Sequence, residues 1–320
     1  MVRRAVAVIS LWVALVALSA SPAMGQRVTG MDVSEFQVSM NWNTAYAAGA
    51  RFAYIRVGRG GTTTAEGHQV DANYATYMTG AANAKDGNGN PVTIYTGNYL
   101  RARPDLAELT DSHAGSSDDQ PATSALVARA KDEAQNLYNL SKPYLTPQHL
   151  RPMLDLENIP SDVPAHPGTE PLTQASMTVW ANAFLDHFQT LAGIEPLVYV
   201  NTDYATSRLN SGINSPRRRS LWIARPFTGT YTNTSQPQTP SGYPNPYGVW
   251  NIASDPNNSW DFWQYDTTGN GATYGAGSTN LDLDVFNGSI TELQTFLIPE
   301  PGSVALTACG MMMLAARRRK

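Results

Sequence analysis

Short apolar runs alternating with helical stretches constrain the fold of this chain more than any other feature. Residues 28–33, 52–57, 92–99, 153–156, 197–201 and 221–224 are rich in β-branched, aromatic and other apolar residues, as strands are. Helices are expected between the first five of these runs, at 42–48, 70–84, 122–140 and 172–191. The last of them puts Trp180, Phe184 and Phe188 on one face at helical spacing. The run 52–57 is almost continuously apolar, which predicts a strand buried on both faces. Strands at 261–265 and 281–286 and a short helix at 289–296 are expected to close the body. Repeated strand–helix succession implies parallel βα units with right-handed crossovers, and these close most easily into a barrel. At 320 residues the chain is long enough for one such barrel or for two ordinary domains.

In such barrels the chemistry sits at the C-terminal ends of the strands. Here those ends carry Asp32, Tyr99, Asp155, Glu157 and Asn201, with Asp282 near the last strand. Within Arg151-Pro152-Met153-Leu154-Asp155-Leu156-Glu157-Asn158, strand alternation turns Asp155 and Glu157 to the same side. Two like-facing carboxyls suit acid/base work on a glycosidic bond, where one is protonated and the other ionised. An Asp and a Glu ending a strand also cap helices or pair with a surface Arg, and this segment alone leaves both readings open. Acids converging from three separate strands favour the catalytic one.

The two ends read as targeting segments. Arg3 and Arg4 precede an apolar stretch at 5–20 and a small-x-small site at Ala23-Met24-Gly25, the pattern of a secretory leader over residues 1–25. At the other end, Pro299-Glu300-Pro301 leads into an apolar run at 303–316 and a terminal Arg317-Arg318-Arg319-Lys320 cluster. This three-part order resembles a PEP-CTERM sorting signal over 299–320, which implies exosortase-type sorting machinery as a partner. The body at 26–298 then holds 16 basic and 25 acidic residues, a net charge near −9 that argues against nucleic acid. The single cysteine, Cys309, lies in the tail, so the body is expected to rely on its core without a disulfide.

Other chemistries have little support. The five histidines are scattered, with no His-Glu-x-x-His spacing, and no Gly-x-Ser-x-Gly elbow occurs. The Gly58-Arg59-Gly60-Gly61 loop lacks the Lys-Ser/Thr of a phosphate loop, and Asp86-Gly87-Asn88-Gly89-Asn90 lacks the remaining ligands of a calcium loop. Arg217-Arg218-Arg219 reads as a solvated loop, and residues 104–120, 161–171 and 227–247 read as irregular. No metal or cofactor is expected.

Four segments in order resemble glycoside hydrolase family 25, the Chalaropsis-type lysozymes. They are Gly30-Met31-Asp32-Val33-Ser34-Glu35-Phe36-Gln37 with Trp42; Asp155-Leu156-Glu157; Leu221-Trp222-Ile223-Ala224; and Trp263-Gln264-Tyr265 followed by Leu281-Asp282-Leu283-Asp284-Val285-Phe286. The resemblance implies an irregular TIM-like (β/α) barrel of about five βα units plus extra antiparallel strands. It also implies retaining hydrolysis of the β-1,4 bond between N-acetylmuramic acid and N-acetylglucosamine in peptidoglycan, by a protein expected to be a monomer. Carried over by position, Glu157 is the general acid, Asp155 assists through the substrate's 2-acetamido group, and Asp32 polarises the sugar. Asp282, Tyr99, Tyr199, Trp222, Trp263 and Gln264 are the implied substrate contacts. The chain departs from the family at Val38, where Gly is frequent, at Gly58-Arg59-Gly60, and at Tyr99-Leu100-Arg101, where Tyr-His-Phe is usual. The rival reading is a non-catalytic glycan-binding envelope or matrix protein on the same barrel.

Overall fold

The computed structural model describes residues 27–61, 68–106, 123–157, 172–214, 219–226 and 260–300. The leader at 1–25, nearly all of the sorting tail, the loops at 161–171 and 227–247, and most of 104–120 lie outside the described residues.

Nine strands form one sheet: β1 (Val28–Val33), β2 (Phe52–Arg59), β3 (Gln69–Val70), β4 (Tyr95–Arg101), β5 (Met153–Leu156), β6 (Leu197–Asn201), β7 (Leu221–Ala224), β8 (Phe262–Asn270) and β9 (Asn280–Phe286). Eight of them close into a ring in the order β1-β9-β8-β7-β6-β5-β4-β2, with β1 hydrogen-bonded back to β2 and β3 appended outside. Pairing is parallel from β1 through β2, β4, β5, β6 and β7 to β8, and β9 runs antiparallel to both its neighbours. Five helices join the parallel strands: α1 (Trp42–Ala47), α2 (Tyr74–Ala82), α3 (Thr123–Ser141), α4 (Gln174–Ala192) and α5 (Thr202–Arg208); a sixth, α6 (Ile290–Leu293), follows β9. The barrel is therefore mixed and irregular, not a regular eightfold βα array.

Two cores hold it. Outside the ring, the strands' outward side chains pack on the helices, with Trp180, Phe184 and Phe188 of α4 fully buried. α4 starts at Thr173, whose side chain accepts from Ser176 N, and stops at Gly193 in the left-handed region. Inside the ring, Phe52, Tyr54, Trp222, Phe262 and Phe286 fill the lower half. Trp222 stacks on Phe262 at 5.1 Å and meets Tyr54 edge-on at 4.7 Å. Glycine makes room for two of these rings: a Cβ on Gly30 would lie 2.5 Å from Phe52, and one on Gly97 2.4 Å from Tyr54. All eight residues of β2 are buried: the run 52–57 as its apolar character predicts, and beyond it Gly58 and Arg59, which were expected in a loop.

Several boundaries shift. The predicted helix 70–84 begins only at Tyr74, because Gln69–Val70 pair with β2 and Asp71 breaks the chain between them. Asp71 accepts from Asn73 N, Glu35 N and Arg56 Nε, holding this turn against the cleft rim. β4 starts at Tyr95 rather than 92, since Val92 N is bonded to Ala84 O in the preceding turn, and it runs on to Arg101. β8 continues to Asn270 as a bulged hairpin with β9. Arg219, expected in a solvated loop, is 1% exposed and pairs with Asp186 at 2.9 Å and Glu195 at 2.6 Å, tying β7 to α4. Among the described residues, no helix is long and apolar enough to cross a membrane.

Candidate active site

The C-terminal ends of the parallel strands open onto a cleft of about 340 Å³. β1 supplies Asp32, β4 Tyr99 and Arg101, β5 Asp155 with Glu157 just beyond it, β6 Tyr199, β8 Gln264 and the inverted β9 Asp282. Seven of the nine residues singled out from sequence therefore share one cavity.

Asp32 and Asp282 are register partners across β1 and β9. Gln264 Nε2 donates to Asp32 Oδ2 at 2.7 Å, and Tyr199 Oη donates to Gln264 Oε1 at 3.0 Å. An ionised Asp32 only accepts, so it draws the amide nitrogen of Gln264 toward itself and leaves the amide oxygen to the Tyr199 hydroxyl. Burial pushes Asp32 up to about 6, opposed mainly by the Gln264 hydrogen bond. Burial and then the neighbouring Asp32 charge push Asp282 up to about 9. Asp155, 4% exposed, is raised well above the ordinary carboxylate range by burial and then by Glu157, and its Oδ1 has no hydrogen-bond partner among the described residues. Burial raises Glu157 as well, against the opposing Arg101 charge, whose Nε lies 3.0 Å from Glu157 Oε1. Like charges in a shared, poorly solvated cleft cannot all ionise together, so the group holds protons at neutral pH.

Two sequence expectations are corrected. Trp222 does not line the cleft: it is fully buried one layer down, in the aromatic floor. Trp263 faces outward, 1% exposed, packed on Trp260 and Tyr265, with Nε1 donating to Arg225 O. Alternation along β8 sends Gln264 inward and therefore Trp263 outward. Neither indole offers a face to a sugar.

Of the cleft residues that sequence reasoning passed over, three bear on the chemistry. Arg56 is 3% exposed and held by Asp71 (Nε, 3.0 Å) and Glu35 (Nη2, 2.9 Å), which aims a fixed cation at the acids. Its signal was a lone charge inside an otherwise apolar strand. Phe36, 57% exposed on the rim with the Arg56 guanidinium over its ring at 5.0 Å, is the solvent-facing aromatic of the cleft. Arg101 stood out in the sequence only as a departure from the family pattern. Among the described residues, no group of His, Cys, Asp and Glu is arranged to hold a metal ion.

Comparison with known proteins agrees with this geometry. The sequence profile of Glycosyl hydrolases family 25 matches residues 123–273. Lysozyme M1 of Streptomyces globisporus is 28% identical over 272 residues, covering 85% of this chain and 72% of that one. The N,O-diacetylmuramidase of Chalaropsis sp is 27% identical over 192 residues, covering 59% of this chain and 74% of that one. In fold, the family GH25 lysozyme from Aspergillus fumigatus matches with a TM-score of 0.55 at 21% identity, covering 85% of this chain and 99% of that one. The lysozyme from Streptomyces coelicolor matches with a TM-score of 0.54 at 24% identity, over 85% and 97%. By the profile match and the two sequence relatives the chain is similar to glycosyl hydrolases family 25, and to glycoside hydrolases of lysozyme type.

Proposed function

We propose that this protein is an exported muramidase that hydrolyses the β-1,4 bond between N-acetylmuramic acid and N-acetylglucosamine in peptidoglycan, with retention. Glu157 protonates the leaving oxygen and then, as base, activates the incoming water. Asp155 orients the substrate's 2-acetamido group, whose carbonyl oxygen attacks the anomeric carbon. Asp32 stabilises the developing positive charge of the sugar, Asp282 contacts the substrate as a neutral acid, Gln264 and Tyr199 hold Asp32, and Tyr99 and Phe36 offer surface to the rings. No metal or cofactor takes part.

The observation that carries this reading is geometric: Asp32, Asp155, Glu157 and Asp282 converge from three strands on one cleft, with Arg101 3.0 Å from Glu157, and burial raises the acids unequally, Asp32 to about 6 and Asp282 to about 9. Acids pushed apart in this way can serve as proton donor and anion in one active site. Digestion of purified cell walls by wild type and Glu157→Gln tests it. Clearing by wild type with loss of at least a hundredfold in the variant is expected. Equal clearing by both, or none by wild type, overturns the enzymatic reading in favour of a glycan-binding envelope or matrix protein.

Residues 1–25 are proposed as a removed leader and 299–320 as a sorting tail handled by exosortase-type machinery, which places the monomeric catalytic body in the envelope or outside the cell. Mass spectrometry of the mature protein, giving its two ends, checks this.

A further inference from the structure

Below the cleft, between the catalytic acids and the aromatic floor, lies a carboxyl that the proposed mechanism does not use. Asp284 is 0% exposed, and neither of its oxygens has a hydrogen-bond partner among the described residues. Alternation along β9 turns Asp282, Asp284 and Phe286 to the inside of the barrel: Asp282 lines the cleft and Phe286 belongs to the floor. Asp284 sits between them, in register with Gly30 of β1 and Gln264 of β8.

The groups facing it decide its state. Asp32 and Asp282 are above it and acidic. Gln264 is already committed, its amide nitrogen to Asp32 and its oxygen to Tyr199. Trp222 and Tyr54 approach from the floor: the Trp222 indole N–H favours the ionised form of Asp284 but is the smallest of the influences on it, and the Tyr54 hydroxyl donates elsewhere, to Arg151 O. Arg56, a cation lining the cleft above, acts on Asp32 and is held by Glu35 and Asp71. Among the described residues no cation therefore balances Asp284, and a buried ion without a partner takes up a proton instead. Burial, then Asp32, then Asp282 all push its ionisation in that direction. Two carboxylates only accept, so Asp284 and Asp32, neighbours within hydrogen-bonding reach, have no bond between them until one is protonated.

We infer that Asp284 is a positioning residue that stays protonated and donates its O–H to Asp32, so that Asp32 is held as an anion by Gln264 on one side and Asp284 on the other. One proton thus does two things: it neutralises the deeper carboxyl and locks the shallower one in its charged form. This rests on the reading of Asp32 as part of the active site. The protonation of Asp284 itself does not.

The test uses Asp284→Asn, which keeps a donor, and Asp284→Leu, which does not. Infrared spectra of wild type at neutral pH are expected to show a protonated-carboxyl C=O band that Asp284→Asn loses. In pH–activity profiles on cell walls, Asp284→Asn is expected to keep the acid limb, while Asp284→Leu moves it upward by about one unit as Asp32 loses a stabilising donor. No such band difference, an equal limb shift in both variants, or a downward shift overturns the inference; the last would mean that Asp284 is normally ionised. Should Asp284→Leu fail to fold, the infrared difference with Asp284→Asn still decides. Should wild type prove inactive on walls, that result sinks the muramidase reading and leaves the infrared result standing.

Discussion

Replacing Arg101 with Met tests how the proposed proton donor is tuned. The Arg101 Nε to Glu157 Oε1 distance is 3.0 Å, with the side chains 17% and 29% exposed, so the pair is neither buried nor freely solvated. At an effective dielectric of about 20 and roughly 4 Å between charge centres, the attraction is about 4 kcal/mol before solvent and side-chain entropy reduce it. An opposite charge at this range lowers a carboxyl by about 1–3 units, and each unit is about 1.4 kcal/mol. Burial pulls the other way and wins, since Glu157 remains above its ordinary value. Met keeps most of the aliphatic packing of the Arg stem and removes the charge.

The sign follows from the role. A general acid must carry its proton, so activity is lost as pH rises through the pKa of Glu157. Removing the cation that favours the ionised form raises that pKa. The alkaline limb of kcat/KM, which reports the free enzyme, should move up by about one unit in Arg101→Met. At a pH above the wild-type limb the variant should be faster, by up to about tenfold, and near the optimum it should be unchanged or slower. Turbidity clearing of cell walls across pH measures this. An unmoved limb, or one shifted to lower pH, would refute the assignment of Glu157 as the acid governed by Arg101.

Glu133 of α3 is buried beneath β4, accepts from Arg103 N at 2.9 Å, and is pushed up to about 8 by burial. Between its unfolded value near 4.5 and about 8 the folded state holds a proton that the unfolded state has lost, so its contribution is full below about 4.5 and fades as pH rises toward 8. Glu133→Gln, which keeps the acceptor, should flatten the fall in Tm across that window and melt higher than wild type at pH 8; parallel Tm curves would exclude it. Val38 has φ 63° and ψ −51°, a region a β-branched residue rarely enters, and its side chain is 69% exposed. Val38→Gly should therefore stabilise by about 1 kcal/mol in denaturant titration, and destabilisation would show that the side chain makes compensating contacts.

Much of the ring was legible because length and alternation speak directly to burial. The runs 197–201 and 221–224 coincide with β6 and β7, since a parallel strand covered on both faces is simply a short apolar word. α5 was not legible: it is seven residues long, and its N-cap, Asn201, doubles as the last residue of β6. β3 was hidden inside a helical pattern, because only the distant Arg56 and Glu35 make Asp71 a chain breaker. In the site, alternation says whether a side chain points into the barrel but not at what height. Tyr199 and Trp222 are register partners with rings 6.1 Å apart, yet one reaches Gln264 in the cleft and the other lies in the floor. Height depends on strand tilt and stagger around the whole ring, which no single segment encodes.

The inverted β9 makes this matter for chemistry. Read along β5, the inward side chains climb from Met153 in the floor cluster to Asp155 and out to Glu157. Along β9 they descend instead, from Asp282 in the cleft through Asp284 to Phe286. These two opposed columns, with Asp32 of β1 beside them, therefore deliver acids at graded depth: Asp284 at 0% exposure, Asp155 at 4% and Asp32 at 8%, with the Glu157 side chain at 29%. An acid that gives its proton to a leaving group must regain one from water in every turnover, whereas an anion that stabilises positive charge works best away from water. Glu157, shallowest of the four and next to Arg101, suits the first task. Asp32, deeper and held by Gln264, suits the second. Were β9 parallel, the same column would climb from Asp282 in the floor through Asp284 to Phe286 in the cleft, so Asp32 has an acid as its cleft neighbour only because the strand is inverted.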